Sequence, residues 1–412
     1  MTERVEGMLS PYRVLDLTDE KGIMCGKLMA DMGADVIKIE RPGGDAARSI
    51  GPFYRDEKDP EHSLFWWAMN TSKRGITLDI EKPVGRELFR KLVVKADFVI
   101  ESYPVGYMAS LGLGYQDLEK LNSGIIVVSI TPFGQFGPYK DFKGSDLVEW
   151  AMGSGSYMRT MGDLDRPPIR IGHPQCYYHA GTEGVVGALV ALYHRRSSGE
   201  GQQVDVSIQD CMNFLTAVDY DLNKTKRVRG LKYFNVEVKH IWQCKDGYVM
   251  WRWTGGPLAR RHSLPLVNWM AAEEMASDWL RNLDWDNFSH YNTTQEIIDR
   301  IDGETLAFFK TKTKAQIMEG AVKFRIMLYA LATAKDVYES PQLAARDFWQ
   351  KVEHPEMNAT FTYPGRWANN SLTPPCIFRR APLVGEHNHE IYEQELGVSK
   401  AEYRRLKRAK VI

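Results

Sequence analysis

No two of the five cysteines, Cys25, Cys176, Cys211, Cys244 and Cys376, form a CxxC pair. The spacing gives neither a disulfide framework nor a zinc site, and reduced thiols in cytosol fit best. Charge of one sign is not in excess: Lys+Arg and Asp+Glu both number 53, so the formal net charge is zero. No basic field is available to hold a nucleic-acid backbone or an anionic membrane, which leaves only local basic pockets for a phosphate. Apolar runs of ~18 residues or more are missing, so no membrane span is expected. The opening MTERVEGMLSPYR is charged and has no apolar signal core, which makes a cytoplasmic location the expectation. Internal repeats, low-complexity tracts and a GxSxG elbow do not occur.

At 412 residues the chain is too long for one ordinary core, so two domains are the default. Residues 13–17 (RVLDL) read as a buried strand, residues 22–33 carry helical spacing, and ADVIKIE at 34–40 reads as a second strand. That βαβ opening recurs: GITLDI, a helix from Val84 to Lys95, the strand DFVIE at 97–101, and GIIVVSI at 124–130. Strand and helix alternate without hairpin turns, the signature of a doubly wound α/β sheet. Residues 180–196 form a small-residue apolar helix, followed by a turn and the strand VDVSI. After about residue 225 the texture changes to amphipathic helices with many charges and aromatics. This divides the chain into a large domain at 1–225, a small domain at 226–330, and a loop-rich return at 331–412 that ends in a helix over Ala401–Lys410.

Each chemical motif has a plain structural reading beside the functional one. Gly43-Gly44-Asp45 follows a strand and could cradle a phosphate, but it lacks the full GxGxxG spacing and a P-loop lysine, so an ordinary turn is the favoured reading. His173, Cys176 and His179 match no zinc spacing, and no metal is expected. His387 and His389 flank Asn388 in what reads as a solvated turn. Cys176 as a nucleophile would need a base and a lowered pKa; a buried inert thiol is the alternative. The pairs Trp66/Trp67 and Trp251/Trp253 are core indoles or walls of an acyl pocket.

Several segments together resemble family III CoA-transferases of the formyl-CoA transferase type. They are RVLDLTDEKGIMCGKLMADMGADVIKIERPGGDAAR, NTSKRGITLDI, ADFVIESYPVGYMASLGLGYQDL, SITPFGQFGPYKDFKGSDL, GALVALYHRRSSGEGQQVDVSIQD, DVYESPQLAARDFWQKVEHPE and RRAPLVGEHNHEIYEQELG. The resemblance implies a Rossmann-like large domain built from both chain ends, a smaller α+β domain between, and an interlocked-ring dimer. It implies coenzyme A thioesters as substrates, with no permanently bound cofactor. The implied reaction passes CoA from a donor thioester to a carboxylic acid through an aspartate, whose carboxyl carbon carries CoA as an enzyme thioester.

The sequence departs from that pattern at the decisive place. Aligned through GALVALYHRRSSGEG, the family aspartate falls on Tyr177. A phenol has no carboxyl carbon and cannot carry CoA, whatever its pKa. Cys176 could take an acyl group but not CoA. Among implied CoA contacts, Arg48, Leu78, Ile80, Tyr103 and Lys143 remain, while Glu81 and Ser110 replace family cations. Losing two cations and adding an anion weakens phosphate binding by roughly a few kcal/mol. The racemase variant of the family uses a GHD motif, where this chain has Gly144-Ser145-Asp146, and needs the aspartate lost at 177.

Three functions follow from the resemblance. The first is a non-catalytic subunit working beside a homologous chain with an intact aspartate, as heterodimer or heterotetramer, with succinyl-CoA and benzylsuccinate as the family's precedent for unlike subunits. The second is an active homodimer with a displaced carboxylate: Asp146, Glu149 or, as fallback, Glu183. The third is a non-enzymatic acyl-CoA-binding protein.

Overall fold

The computed structural model describes residues 7–160, 172–215 and 236–412, with the backbone alone for 154–160 and 215. The chain folds into two compact units. The first comprises Met1–Gly162, Pro167–Leu222 and Leu343–Ile412, the second Asp163–Arg166 and Asn223–Gln342.

In the first unit the elements run β1 (Arg13–Leu17), α1 (Ile23–Asp31), β2 (Asp35–Glu40), α2 (Leu64–Met69), β3 (Arg74–Thr77), α3 (Pro83–Val93), β4 (Phe98–Glu101), α4 (Tyr107–Ser110), α5 (Tyr115–Leu118), β5 (Ile126–Thr131), α6 (Asp146–Thr160), α7 (Gln175–Ser198), β6 (Gln203–Ser207) and α8 (Ile208–Leu215). The six strands form one sheet in the order β3-β2-β1-β4-β5-β6. Every pairing is parallel. This is the doubly wound order, with its switch point between β1 and β4.

Alternate residues of each strand point to opposite faces. Val14, Phe98, Ile100, Ile126 and Val128 pack with Cys25, Met29, Ala180 and Ala188 of α1 and α7. Leu15, Val99 and Val127 pack with Leu88, Phe89 and Leu92 of α3 and with Tyr392 and Leu406 from the C-terminal segment. Buried on both sides, the central strands read as continuous apolar runs. The small residues of α7 have a packing reason: a Cβ on Gly181 would come within 2.7 Å of Met24 Cβ and 3.0 Å of Cys25 N, so only glycine lets α7 approach α1 this closely.

Two local expectations are corrected, and the favoured turn at the glycine stretch is present. The return after residue 331 is less loop-like than its composition suggests: Trp349–His354 and Ala359–Pro364 pair as an antiparallel hairpin. The glycine stretch is a turn. Asp45 N donates to Glu40 Oε2 at 2.8 Å, and Asp45 caps a single 3-10 turn at Ala46–Ser49 rather than opening a phosphate-binding helix. The segment around His387 is not a solvated turn but a clip on edge strand β3. Gly75 N donates to His387 Nδ1 at 3.1 Å, Thr77 N to Asn388 Oδ1 at 2.9 Å, and Tyr392 Oη to Thr77 O at 2.7 Å. An exposed edge would otherwise present unpaired backbone groups.

The second unit holds a three-stranded antiparallel sheet of Ile241–Cys244, Gly247–Met250 and Tyr329–Ala330. Its core takes in Trp242, Trp251, Trp253, Trp269 and Trp285, with Trp253 stacked on Trp285 at 4.9 Å. Trp251 and Trp253 are thus core residues. Trp66 and Trp67 are likewise buried, and their indole N–H groups donate to Pro382 O and Glu61 O. Among the described residues no helix is long and apolar enough to cross a membrane.

Candidate active site

In doubly wound sheets the ligand crevice opens at the carboxyl ends of the strands, at the switch point. Here the loops after β1 and β4 meet there. Asp19 N donates to Ser102 Oγ at 2.8 Å, and Ser102 Oγ donates to Asp19 Oδ1 at 2.7 Å. Beside them Tyr103 is half-buried and leans on Tyr107 at 4.6 Å between ring centres. Burial pushes the Tyr103 phenol up to about 12.

The expected CoA contacts are placed unevenly around this edge. Arg48 is 1% exposed and turned inward. Its Nε and Nη2 donate to the two Glu40 oxygens at 2.7 and 2.9 Å, and its Nη1 donates to Glu61 at 2.7 Å. Its guanidinium also lies 3.8 Å over the Trp66 ring. All three nitrogens are therefore directed at protein acceptors. Leu78 and Ile80 are buried, Lys143 is exposed, and Ser110 donates to Tyr107 O. Glu81 is not an unopposed anion: Arg41 Nη2 meets its Oε1 at 2.9 Å, and Tyr107 Oη donates to the same oxygen at 2.8 Å. The sequence reading missed Arg41, which lies 40 residues from its partner.

Tyr177 stands in the first turn of α7, inside the helix rather than before it. It is 7% exposed and packs in the core beside Trp150 and Cys176. Burial first, and then the charges of Glu149 and other nearby carboxylates, raises its phenol far above the ordinary tyrosine range. At neutral pH position 177 carries a neutral phenol.

Its neighbours add no nucleophile of the thiol kind. Cys176 is fully buried, with its N–H on Asp146 Oδ1 at 3.2 Å and its thiol on Asp146 O at 3.4 Å. Burial and the Asp146 charge hold that thiol protonated. Around His173 and His179, as elsewhere among the described residues, no group of three His, Cys, Asp or Glu side chains is placed to hold a metal ion. Glu183 lies six residues beyond Tyr177 on the same helix, about 240° around its axis at ~100° per residue. It is exposed, and its charge bears on Cys211 of α8.

The structure brings forward Glu149 instead. It follows Asp146 by one turn on α6, is completely buried, and its two carboxyl oxygens have no hydrogen-bond partner among the described residues. Burial pushes its carboxyl up to about 7, Asp146 adding to the shift. Glu149 was one name among three carboxylates in the sequence. Only packing sets it apart.

Residues 9–388 match the sequence model of CoA-transferase family III. The chain belongs to CoA-transferase family III. A curated relative is succinyl-CoA:(R)-benzylsuccinate CoA-transferase subunit BbsE from Thauera aromatica, 33% identical over 389 residues and 93% of each chain. Another is succinyl-CoA–D-citramalate CoA-transferase from Chloroflexus aurantiacus, 31% identical over the whole of both chains. Among solved structures, a CAIB/BAIF family protein from Brucella suis superposes with a TM-score of 0.77 at 26% identity, covering 94% of this chain and 99% of that one. The position that the sequence resemblance sets against the family aspartate holds the buried phenol of Tyr177.

Proposed function

We propose that this chain is the non-catalytic subunit of a heteromeric CoA-transferase that moves CoA from an acyl-CoA donor to a carboxylic acid. The observation that carries the reading is the buried, neutral phenol of Tyr177 in the first turn of α7. CoA transfer through an enzyme thioester needs a carboxyl carbon, and neither Tyr177 nor Cys176 has one. A homologous partner with an intact aspartate supplies the chemistry, as heterodimer or heterotetramer, in the interlocked arrangement and in the cytoplasm.

The relatives' names support a dicarboxylic donor and acceptor. One belongs to a subunit of a benzylsuccinate transferase, and two name succinyl-CoA. On this reading the donor is succinyl-CoA and the acceptor benzylsuccinate, within aromatic-compound breakdown. The contacts this chain offers a CoA thioester are Tyr103, Lys143 and the segment of Leu78 and Ile80, with Arg48 behind them. With Arg48 turned inward and two family cations replaced, its own share of CoA binding is weak.

The test is expression of the chain alone and together with a homologue that keeps the aspartate. The lone chain is expected to be inactive with succinyl-CoA and benzylsuccinate, and to copurify with the homologue in an active assembly. Tyr177→Phe should leave that activity unchanged, whereas changing the partner's aspartate to alanine should abolish it. Full transferase activity of the lone chain would overturn the reading.

A further inference from the structure

Arg41, Glu81 and Tyr107 meet although the chain delivers them from three separate strand ends. Arg41 follows β2, Glu81 follows β3, and Tyr107 opens α4 beyond β4. In the sheet β4 stands three places from β3, roughly 14 Å at about 4.8 Å per strand. The bond from Tyr107 Oη to Glu81 Oε1, at 2.8 Å, therefore bridges the carboxyl ends of β1 and β2. Arg41 Nη2 closes the triangle, 2.9 Å from the same carboxylate oxygen and 3.3 Å from Tyr107 Oη.

Each member is presented by a fixed backbone. Gly44 N donates to Arg41 O at 2.9 Å in the turn after β2. Glu81 N donates to Asp79 Oδ1 at 3.0 Å, and Tyr107 N to Pro104 O at 3.0 Å. The three side chains thus converge from anchored positions.

Stability does not account for the arrangement. The Arg41 and Glu81 side chains are 62% and 50% exposed, and ion pairs open to water add little to a fold. What the contact changes is charge. Ligands of doubly wound sheets sit outside the carboxyl ends of the strands, and a guanidinium is the side chain best shaped to take a phosphate. Arg41 stands at that edge with its charge already matched by a carboxylate.

We propose that Glu81 is a built-in competitor for phosphate at this edge: by pairing with Arg41 and accepting Tyr107 it sets the chain against holding a CoA thioester. The proposal rests on the silent-subunit reading and deepens it, by naming the group that keeps CoA off a chain unable to carry it.

A phosphate oxygen arriving at Arg41 has two routes. It displaces the carboxylate and breaks the Arg41 and Tyr107 bonds, or it takes the other edge of the guanidinium and leaves two anions sharing one cation. Both routes cost affinity through exposed charges, so both costs fall as ionic strength rises. Glutamine at 81 keeps the length of the side chain and an acceptor oxygen for Tyr107, and removes only the charge.

The test is equilibrium binding of CoA to the full-length chain by titration calorimetry, for wild type, Glu81→Gln, Arg41→Ala and the double variant. At low ionic strength Glu81→Gln should bind CoA about tenfold more tightly than wild type, from a released cation and a removed repulsion. The gain should shrink at high ionic strength. Arg41→Ala should bind no better than wild type, and the double variant should lose most of the gain, because the cation that Glu81 engages is gone. Circular dichroism checks that each variant is folded. Equal affinity in wild type and Glu81→Gln, or binding in neither, would overturn the proposal. So would a double variant as tight as Glu81→Gln. The silent-subunit reading fails on a different result, transferase activity of the lone chain, so the two failures are told apart.

Discussion

Asp146 holds Cys176 twice: its Oδ1 accepts the Cys176 N–H at 3.2 Å, and its carbonyl oxygen accepts the Cys176 thiol at 3.4 Å. The first residue of α6 is thereby pinned to the first turn of α7, and Tyr177 is set by that junction. Asp146→Ala removes the acceptor for a buried backbone N–H, at a cost of about 1–3 kcal/mol. Chemical denaturation should show that loss. The Cys176 thiol should also react faster with a thiol reagent than in wild type, while Asp146→Asn, which keeps an acceptor oxygen, should lie between.

The stability of the chain should fall as pH rises toward neutrality. Burial raises the carboxyls of Glu101 and Glu149 from the ordinary 4.5 to about 7. Between those values the folded chain keeps protons that the unfolded chain has released, so unfolding releases protons and gains from higher pH. The contribution is fully present below about 4.5 and is lost by the time pH passes about 7. Glu101→Gln should therefore stabilise at pH 8, by on the order of 3 kcal/mol at most, and change little at pH 4.5. Melting curves of the variant and wild type at both pH values check this.

Arg48 sits between Glu40, Glu61 and Trp66. Truncating it leaves Glu40 as a buried anion with its main partner gone, which costs about 3–5 kcal/mol. Arg48→Lys should recover only part, because an ammonium cannot make the two-pronged contact. By contrast Arg41→Ala, at the exposed pair with Glu81, should cost under about 1 kcal/mol. Urea denaturation of the three variants ranks them.

Asn388 bonds both the N–H and the hydroxyl of Thr77. Asn388→Ala should leave that edge of the sheet unpaired and destabilise by about 1–3 kcal/mol. Hydrogen exchange at the β3 amides should quicken, while the amides of β4, at the middle of the sheet, should stay protected. Equal protection at β3 in both proteins would show that the clip does not cover the edge.

Periodicity in the sequence reached the alternation of strands and helices because side-chain direction repeats every two residues in a strand and every 3.6 in a helix. Those are local rules, so RVLDL, DVIKIE and IIVVSI announce themselves. The hairpin of Trp349–His354 and Ala359–Pro364 did not, since its strands alternate weakly among exposed residues. The clip of His387 and Asn388 on β3 spans more than 300 residues of sequence. No local pattern encodes such a contact.

The sequence by itself determined the sheet-forming segments, the family resemblance and the absence of a carboxyl carbon at position 177, because each is a property of residue identity or local spacing. Tertiary structure alone decided which charges are free. It turned Arg48 inward onto Glu40 and Glu61, gave Glu81 a partner in Arg41, set Glu183 in solvent and buried Glu149 against Gly144 with no hydrogen-bond partner among the described residues. The reason is physical: a side chain's charge state and reach depend on burial and on partners distant in sequence, and a string of residues specifies neither until the chain has closed on itself.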